Sequence, residues 1–168
     1  SASAAVTSAD RSVADTTTPG GEVTVTVTTT VDESNPVALG EDFSGPVASG
    51  QFESVTINGN QAGFNDLLTT AVDSDGAAIT VSDSAVSAGD EIVFTYTITA
   101  ASNAAGQDID ISGSVTSGDQ TDLGTDTVSV QGDGPVPANF QVSNLQPASA
   151  TVPDGTLIDV SATVENTG

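Results

Sequence analysis

The chain has 168 residues with 23 acidic side chains against one basic side chain, a formal net charge of -22, and no Cys, His, Lys, Met or Trp. This composition excludes disulfides, thiolate or imidazole metal sites and histidine acid–base chemistry. Because the chain has no basic patch, it also excludes binding to the phosphate backbone of a nucleic acid. No run of about 18 apolar residues occurs, so the sequence predicts no membrane-spanning helix.

Strands dominate the predicted elements. Residues 1–10, rich in Ser and Ala, are predicted to be a disordered tail. The strongest strand signal is 22–28, where Val alternates strictly with polar residues. Residues 40–50 are predicted to be a loop, and 61–72 have the spacing of a helix, with a single turn or an irregular loop as the alternative. Turn residues separate the predicted strands, which are 11–13, 22–28, 37–39, 52–57, 77–81, 91–100, 109–115 and 123–130.

No long helix alternates with these strands, so the sequence predicts an all-β fold, an antiparallel β-sandwich of the immunoglobulin-like or jelly-roll kind. We expect the Tyr96 hydroxyl to reach a hydrogen-bond partner at the rim of the core. The predicted core between the two sheets consists of Val25, Val27, Phe94, Tyr96, Ile98, Ile109, Ile111 and Val128.

The chain divides into four predicted segments. The tail, 1–10, precedes the β-sandwich domain, 11–131. A linker rich in Gly and Pro follows at 132–137, because such residues interrupt both helices and strands. The last segment, 138–168, has signals for only two strands, and the terminal segments are expected to pair with strands of other subunits.

The charge balance indicates a salty habitat. Charged residues make up only 14% of the chain, so the net charge arises from the loss of Lys rather than from an excess of acid. At low ionic strength the uncompensated carboxylates repel one another. In molar salt the Debye length falls to about 3 Å and this repulsion largely disappears. We therefore interpret the chain as a halophile's protein, and its richness in Ser and Thr favours the cell exterior.

Two resemblances to known families support this interpretation. Residues 138–168, through the stretches 138–145 and 162–168, resemble the opening of a CARDB-type immunoglobulin-like module. Residues 10–131, through the Pro-Gly-Gly-Glu-Val-Thr-Val stretch at 19–25, are similar to the sandwich modules of secreted haloarchaeal surface proteins. These resemblances imply an extracellular adhesion or structural module without an active site. An immunoglobulin-like module has about seven strands, whereas residues 138–168 have signals for only two of them.

Carboxylate pairs are the remaining candidates for catalysis. Asp108 and Asp110 share one strand face. A glycosidase needs two such carboxylates about 5–9 Å apart in a sugar cleft, and Trp, a common cleft residue, is absent. We therefore predict that the chain is not an enzyme.

Calcium is a weak alternative. The stretch Asp73-x-Asp75-Gly76 has the start of a calcium loop, but the EF-hand spacing fails at its first and last positions. Such a stretch is more often a turn. We predict no cofactor beyond loosely bound cations such as Ca²⁺ or Na⁺.

Arg11 is the one fixed cation. It is either a chance surface residue or the partner of an acid on the sandwich or on a neighbouring subunit, where it would fix the first strand.

The segment 138–168 suggests how the chain is used. Two strands alone leave edges and an apolar face uncovered, and another copy of the chain can cover them by strand pairing. The first hypothesis is therefore a structural subunit of an extracellular filament or surface layer of a halophilic archaeon, built by strand donation. The alternative is an adhesion or cohesin-like binding module cut from a larger cell-surface protein, and a third is an accessory domain that binds glycans. The residues predicted to form the inter-subunit pairing are Ile158, Val160, Ala162 and Val164, with Ala2, Ala4 and Val6 as a competing N-terminal donor.

Overall fold

The computed structural model describes residues 5–132, 140–147, 149, 151–155 and 157–166. The chain separates into two compact units, Ser1–Gly132 and Asp133–Gly168. The strands of the first unit are β1 (Val6–Ser12), β2 (Thr16–Thr17), β3 (Glu22–Val31), β4 (Val37–Ser44), β5 (Val47–Ile57), β6 (Asn60–Gln61), β7 (Leu67–Val72), β8 (Gly76–Val81), β9 (Glu91–Ala100), β10 (Asp108–Ser117) and β11 (Asp119–Val130). Two short 3-10 helices cover Phe64–Asp66 and Asp83–Ala85.

The first unit is a β-sandwich of two sheets. The first sheet has the strand order β1-β3-β9-β5-β6, and the second has the order β2-β11-β10-β4-β8-β7. Neighbouring strands are antiparallel, apart from the short β2, which runs parallel to β11. The predicted antiparallel, all-β fold is therefore confirmed. No helix in the described part of the chain is long and apolar enough to cross a membrane.

The core lies between the two sheets. In β3 every second residue from Val23 to Val31 is buried, and all of these residues except Thr29 are Val, because successive side chains of a strand point to opposite faces. All eight predicted core residues are fully buried. Phe94 and Tyr96, neighbours on the inner face of β9, are the largest of them. The alternation of apolar and polar residues therefore identified the inner faces correctly.

The predicted tail is wrong for residues 6–10. The first strand begins at Val6, and its residues pair with β3 from Val6 opposite Val31 to Ser12 opposite Thr26. Ala5 and Val6 are buried. Without β1, the edge of β3 would expose its backbone hydrogen-bonding groups, so a partner strand forms although the local sequence gives little sign of it.

The predicted loop at 40–50 is also wrong. β4 continues to Ser44, and β5 starts at Val47 after a turn at Gly45, whose φ is +106°. Gly50 lies within β5, where an added Cβ would collide with the carbonyl oxygen of Asp73. A glycine inside a strand can mark a close approach of backbones, and here such glycines resembled turn residues in the sequence.

The helix-like stretch 61–72 forms no α-helix. A single 3-10 turn, Phe64–Asp66, leads directly into β7, which pairs with β8 from Leu67 opposite Val81 to Val72 opposite Ala77. Pairing with a neighbouring strand overrides the local spacing, because β-structure depends more on such contacts than on intrinsic preference.

The described residues of the second unit form a two-stranded antiparallel hairpin. Its strands are β12 (Phe140–Gln146) and β13 (Ser161–Asn166), with Val142 opposite Val164. Its second strand begins at Ser161, three residues later than the apolar pattern from Ile158 suggests.

Candidate functional site

Arg11 lies in a charged cluster between the two sheets. Its Nε donates to Oε1 of Glu41 at 2.5 Å, and its Nη1 donates to Oδ2 of Asp126 at 2.6 Å. The Arg11 and Glu41 side chains are fully buried, whereas the Asp126 side chain is 43% exposed. Arg11 is therefore not a surface residue, and its two ion pairs differ strongly in their contact with water.

The strand geometry explains how these side chains meet. Arg11 stands opposite Val27 in the first sheet, and Glu41 follows Val37 and Leu39 on the inner face of β4. Gly113 lies opposite Glu41 in the second sheet, and an added Cβ there would collide with the backbone and side chain of β4 residues. The glycine thus leaves space for the buried glutamate.

Tyr96 completes the cluster. Its hydroxyl donates to Oε2 of Glu41, and its ring packs against the ring of Phe43 with centroids 5.7 Å apart. Burial, followed by the charge and hydrogen bond of Glu41, raises the pKa of Tyr96, with Arg11 acting in the opposite direction. Tyr96 has the expected partner, but that partner is buried in the core rather than at the rim.

Arg11 remains a permanent cation in this setting. Burial alone would lower the pKa of Arg11, but the hydrogen bonds and charges of Asp126 and Glu41 outweigh burial and raise it. The cluster joins β1 and β9 of one sheet to β4 and β11 of the other, and so connects the first and last long strands of the sandwich. Because its central pair is fully buried, we assign it a structural role.

The calcium candidates lie in a tight turn between β7 and β8. The Oδ1 of Asp73 accepts from the backbone N–H of Asp75 at 2.8 Å and of Gly76 at 3.2 Å. These bonds are typical of an aspartate that stabilises a turn. Among the residues that the structure describes, no group of three or more acidic side chains is arranged to hold a metal ion.

The carboxylates of Asp108 and Asp110 each bond to a neighbour on β11. Asp110 accepts from the Thr127 hydroxyl at 2.6 Å, and Asp108 accepts from the Ser129 hydroxyl at 2.7 Å. Each carboxylate thus bonds to the hydroxyl residue directly across the strand pair, a contact that stabilises a sheet.

An apolar groove of about 260 Å³ lies beside β7, the last strand of the second sheet. Phe64, which is 93% exposed, and Leu68, which is 64% exposed, stand at this groove. Its remaining lining residues are Phe52, Leu67, Thr69 and Thr70.

The hairpin of the second unit also exposes apolar side chains. Val142 and Val164, which face each other across the strand pair, are 66% and 60% exposed. Of the four residues predicted for inter-subunit pairing, Ala162 and Val164 lie in β13, whereas Ile158 and Val160 precede it, and all four are exposed.

The competing N-terminal donor is not available in the predicted form. Val6 is buried in its own sandwich and paired with Val31, because β1 occupies the edge of the first sheet. Ala2 and Ala4 lie outside the described residues.

No protein-family model and no curated protein matches the sequence. Solved structures do match. The C-terminal domain of the antigen I/II-family protein AspA of Streptococcus pyogenes has a TM-score of 0.60 at 9% identity, covering 80% of this chain and 55% of that one. The major pilin subunit BcpA of Bacillus cereus has a TM-score of 0.60 at 11% identity, covering 95% and 53%. The pilus backbone protein RrgB of Streptococcus pneumoniae has a TM-score of 0.54 at 14% identity, covering 94% and 76%.

These similarities define a class of fold. The chain has the immunoglobulin-like β-sandwich fold found in bacterial pilins and other surface proteins. At such low identities the likeness shows the fold alone. The chain spans about half the length of the first two of these structures, AspA and BcpA.

Proposed function

We propose that the chain is a structural subunit of an extracellular filament or surface layer of a halophilic archaeon, assembled by strand donation between subunits. The observation that carries this proposal is the hairpin of the second unit, whose facing residues Val142 and Val164 are both mostly exposed. The fold shared with pilin subunits supports it.

The hairpin needs a covering partner for physical reasons. A two-stranded hairpin is marginally stable in water, and three or more strands or a packed face are needed for independent stability. In the described part of the chain its outer edges pair with no further strand, and such edges pair readily with another strand. If the partner is another copy of the chain, a head-to-tail contact that does not close on itself produces a filament.

The habitat and location rest on composition. With a net charge of -22, copies of the chain repel one another at low ionic strength, and molar salt removes most of that repulsion. Assembly of the copies therefore requires molar salt, and the medium outside a halophile's cell supplies it. The same carboxylates hold cations loosely, and the subunit needs no cofactor and catalyses no reaction.

Deletion of residues 138–168 tests the proposal. Every buried apolar residue in the described chain lies between Ala5 and Val130, so the first unit retains its whole core. In molar NaCl the full chain should form filaments visible by electron microscopy, whereas the truncated chain should remain a monomer with an unchanged melting temperature. Filaments formed by the truncated chain, or a full chain that stays monomeric at every concentration, would contradict the proposal.

The groove beside β7 favours a second candidate function. An exposed apolar patch on a soluble domain often marks a binding surface, so an adhesion or cohesin-like module cut from a larger surface protein is the alternative. A full chain that remains monomeric but binds a cell-surface protein would support this alternative, whereas binding on a glycan array would favour the glycan-binding accessory domain.

A further inference from the structure

The distribution of charge among the strands is uneven. Of the described strands with six or more residues, only β7, β8 and β12 contain no charged side chain. β8 is paired on both sides, by β4 and β7, whereas β7 and β12 each have an unpaired edge in the described part of the chain.

Edge strands of this length without a charged side chain are unusual. Proteins normally block an edge strand with charges, with a bulge or by making it very short, because its free backbone groups recruit other strands. The other outer strands of the described sheets follow this rule. β2 and β6 have two residues each, β1 carries Asp10 and β13 carries Glu165. In a chain with 23 acids, β7 and β12 are exceptions because they carry no charge and have six and seven residues. Each has one break in register, between Leu67 and Thr69 in β7 and between Ser143 and Gln146 in β12.

Both exceptions carry exposed apolar side chains. Leu68 on β7 stands at the groove, none of whose lining residues is charged, and Val142 and Leu145 on β12 are more than half exposed. Two copies of a chain with a net charge of -22 meet with less repulsion where neither edge strand carries a carboxylate. The two edges are therefore matched in charge and in polarity.

We propose that β7 is the acceptor edge for strand donation and that β12 of a second copy pairs with it, placing its apolar side chains at the groove beside Leu68. This inference rests on the proposed assembly by strand donation and names both surfaces of the joint. The regular part of β12 is Phe140–Ser143, because Asn144, with φ of +54°, interrupts the ladder. Pairing with β7 therefore involves only about four regular residues of β12. Because so short a contact contributes little, we expect it to hold only where salt screens the repulsion between the two copies.

Complementary variants of the full chain test the inference. Leu68→Asp places a charge on the acceptor edge and leaves the donor intact, and Val142→Asp does the reverse. Ser8→Asp adds the same charge to an exposed position of the edge strand β1 and is the matched control. Each protein is studied in molar NaCl by analytical ultracentrifugation and electron microscopy, with its melting temperature as a check on folding.

The expected result is that Leu68→Asp and Val142→Asp are each monomeric, while Ser8→Asp polymerises like the parent. An equimolar mixture of the two monomeric variants should form a dimer and nothing longer, because it contains one intact donor and one intact acceptor per pair. Polymers of Leu68→Asp alongside monomers of Val142→Asp would overturn the acceptor assignment and leave strand donation by the hairpin standing. Polymers of Val142→Asp would overturn the assignment of β12 as the donor. Failure of Ser8→Asp to polymerise, or of the mixture to dimerise, would also overturn the inference.

Discussion

Replacement of Arg11 by Met should destabilise the sandwich far more than loss of a surface ion pair. The side chains of Arg11 and Glu41 are both fully buried and joined at 2.5 Å. Removing one partner of a buried pair leaves a charge without compensation and typically costs about 3–5 kcal/mol. Domains of this kind are stable by about 5–15 kcal/mol, so the variant should lose a large part of its free energy of unfolding.

The second ion pair of the same arginine provides the contrast. The Asp126 side chain is 43% exposed, and exposed pairs contribute about 0–1 kcal/mol. Asp126→Asn should therefore cost little, and its effect should vanish in about 2 M NaCl, where screening reaches exposed charges. The loss in Arg11→Met should persist there, because buried pairs are screened much less.

A double variant separates the ion pair from its surroundings. In Arg11→Met with Glu41→Gln, both charges disappear, and the Gln oxygen can still accept from the Tyr96 hydroxyl. Replacing both partners of a buried pair by hydrophobic residues of similar volume is often neutral, whereas removing one partner leaves a buried charge uncompensated. Because the double variant leaves no such charge, it should be more stable than Arg11→Met alone. We expect a coupling energy above about 2 kcal/mol from the double-mutant cycle.

Urea unfolding followed by circular dichroism measures these differences through the linear dependence of the free energy of unfolding on denaturant. A cost of less than about 1 kcal/mol for Arg11→Met, the upper value for an exposed pair, would contradict a buried pair. Disappearance of this loss in high salt, together with that of Asp126→Asn, would contradict it as well.

Three further predictions concern salt, the core and pH. The melting temperature should rise steeply between about 0.1 and 2 M NaCl as screening removes self-repulsion, and a flat dependence in a thermal scan would contradict the halophile hypothesis. Phe94→Ala, at a fully buried position, should cost about 3–5 kcal/mol in urea unfolding, and a loss below about 1 kcal/mol would contradict its enclosure. Because the folded state raises the pKa of Tyr96, the unfolded chain loses this proton first, near pH 10. Stability should be unaffected by this group below that pH and should fall as the pH rises above it, by up to about 1.4 kcal/mol per pH unit. Tyr96→Phe should remove that component of the pH profile, and an unchanged profile would contradict the assignment.

Alternating strands were the predictable part of the fold. In β9, and in β3 apart from Thr29, apolar residues recur at every second position, and this period identifies both the strand and its buried face. The antiparallel sandwich followed from the number of such strands and the absence of long helices. The order of the strands within each sheet depends on contacts along the whole chain, so it cannot be predicted from the local pattern of one strand.

The misplaced elements share a physical cause. Val6–Ser12 and Leu67–Val72 have weak local patterns and become strands because a neighbouring strand supplies their hydrogen bonds. Gly50 resembles a turn residue in the sequence, yet it sits in a strand because no side chain fits against the backbone at Asp73. Contacts between residues distant in sequence decided each case.

The Arg11 cluster was partly accessible from the sequence. Val37, Leu39 and Glu41 occupy alternate positions, so the same period that buries the first two also turns Glu41 inward. A buried carboxylate needs a compensating charge, and Arg11 is the single basic side chain in the chain. These two properties of the sequence together point to an ion pair between Glu41 and Arg11. The participation of Asp126 and Tyr96 required the register of β9, β10 and β11 across both sheets.

The position of Arg11 also bears on the environment in which the chain folds. In concentrated salt a surface ion pair contributes almost nothing, because mobile ions screen it. A pair enclosed between two sheets is protected from those ions, and its attraction survives at any ionic strength. The chain has one basic side chain, and that side chain lies where screening is least effective, joining the first strand of the sandwich to the inner face of β4. In concentrated salt the carboxylates on the outside would need no partners, because salt itself reduces their repulsion. A low-salt medium reverses this balance, since it strengthens the repulsion among all the exposed acids while leaving the buried pair nearly unchanged.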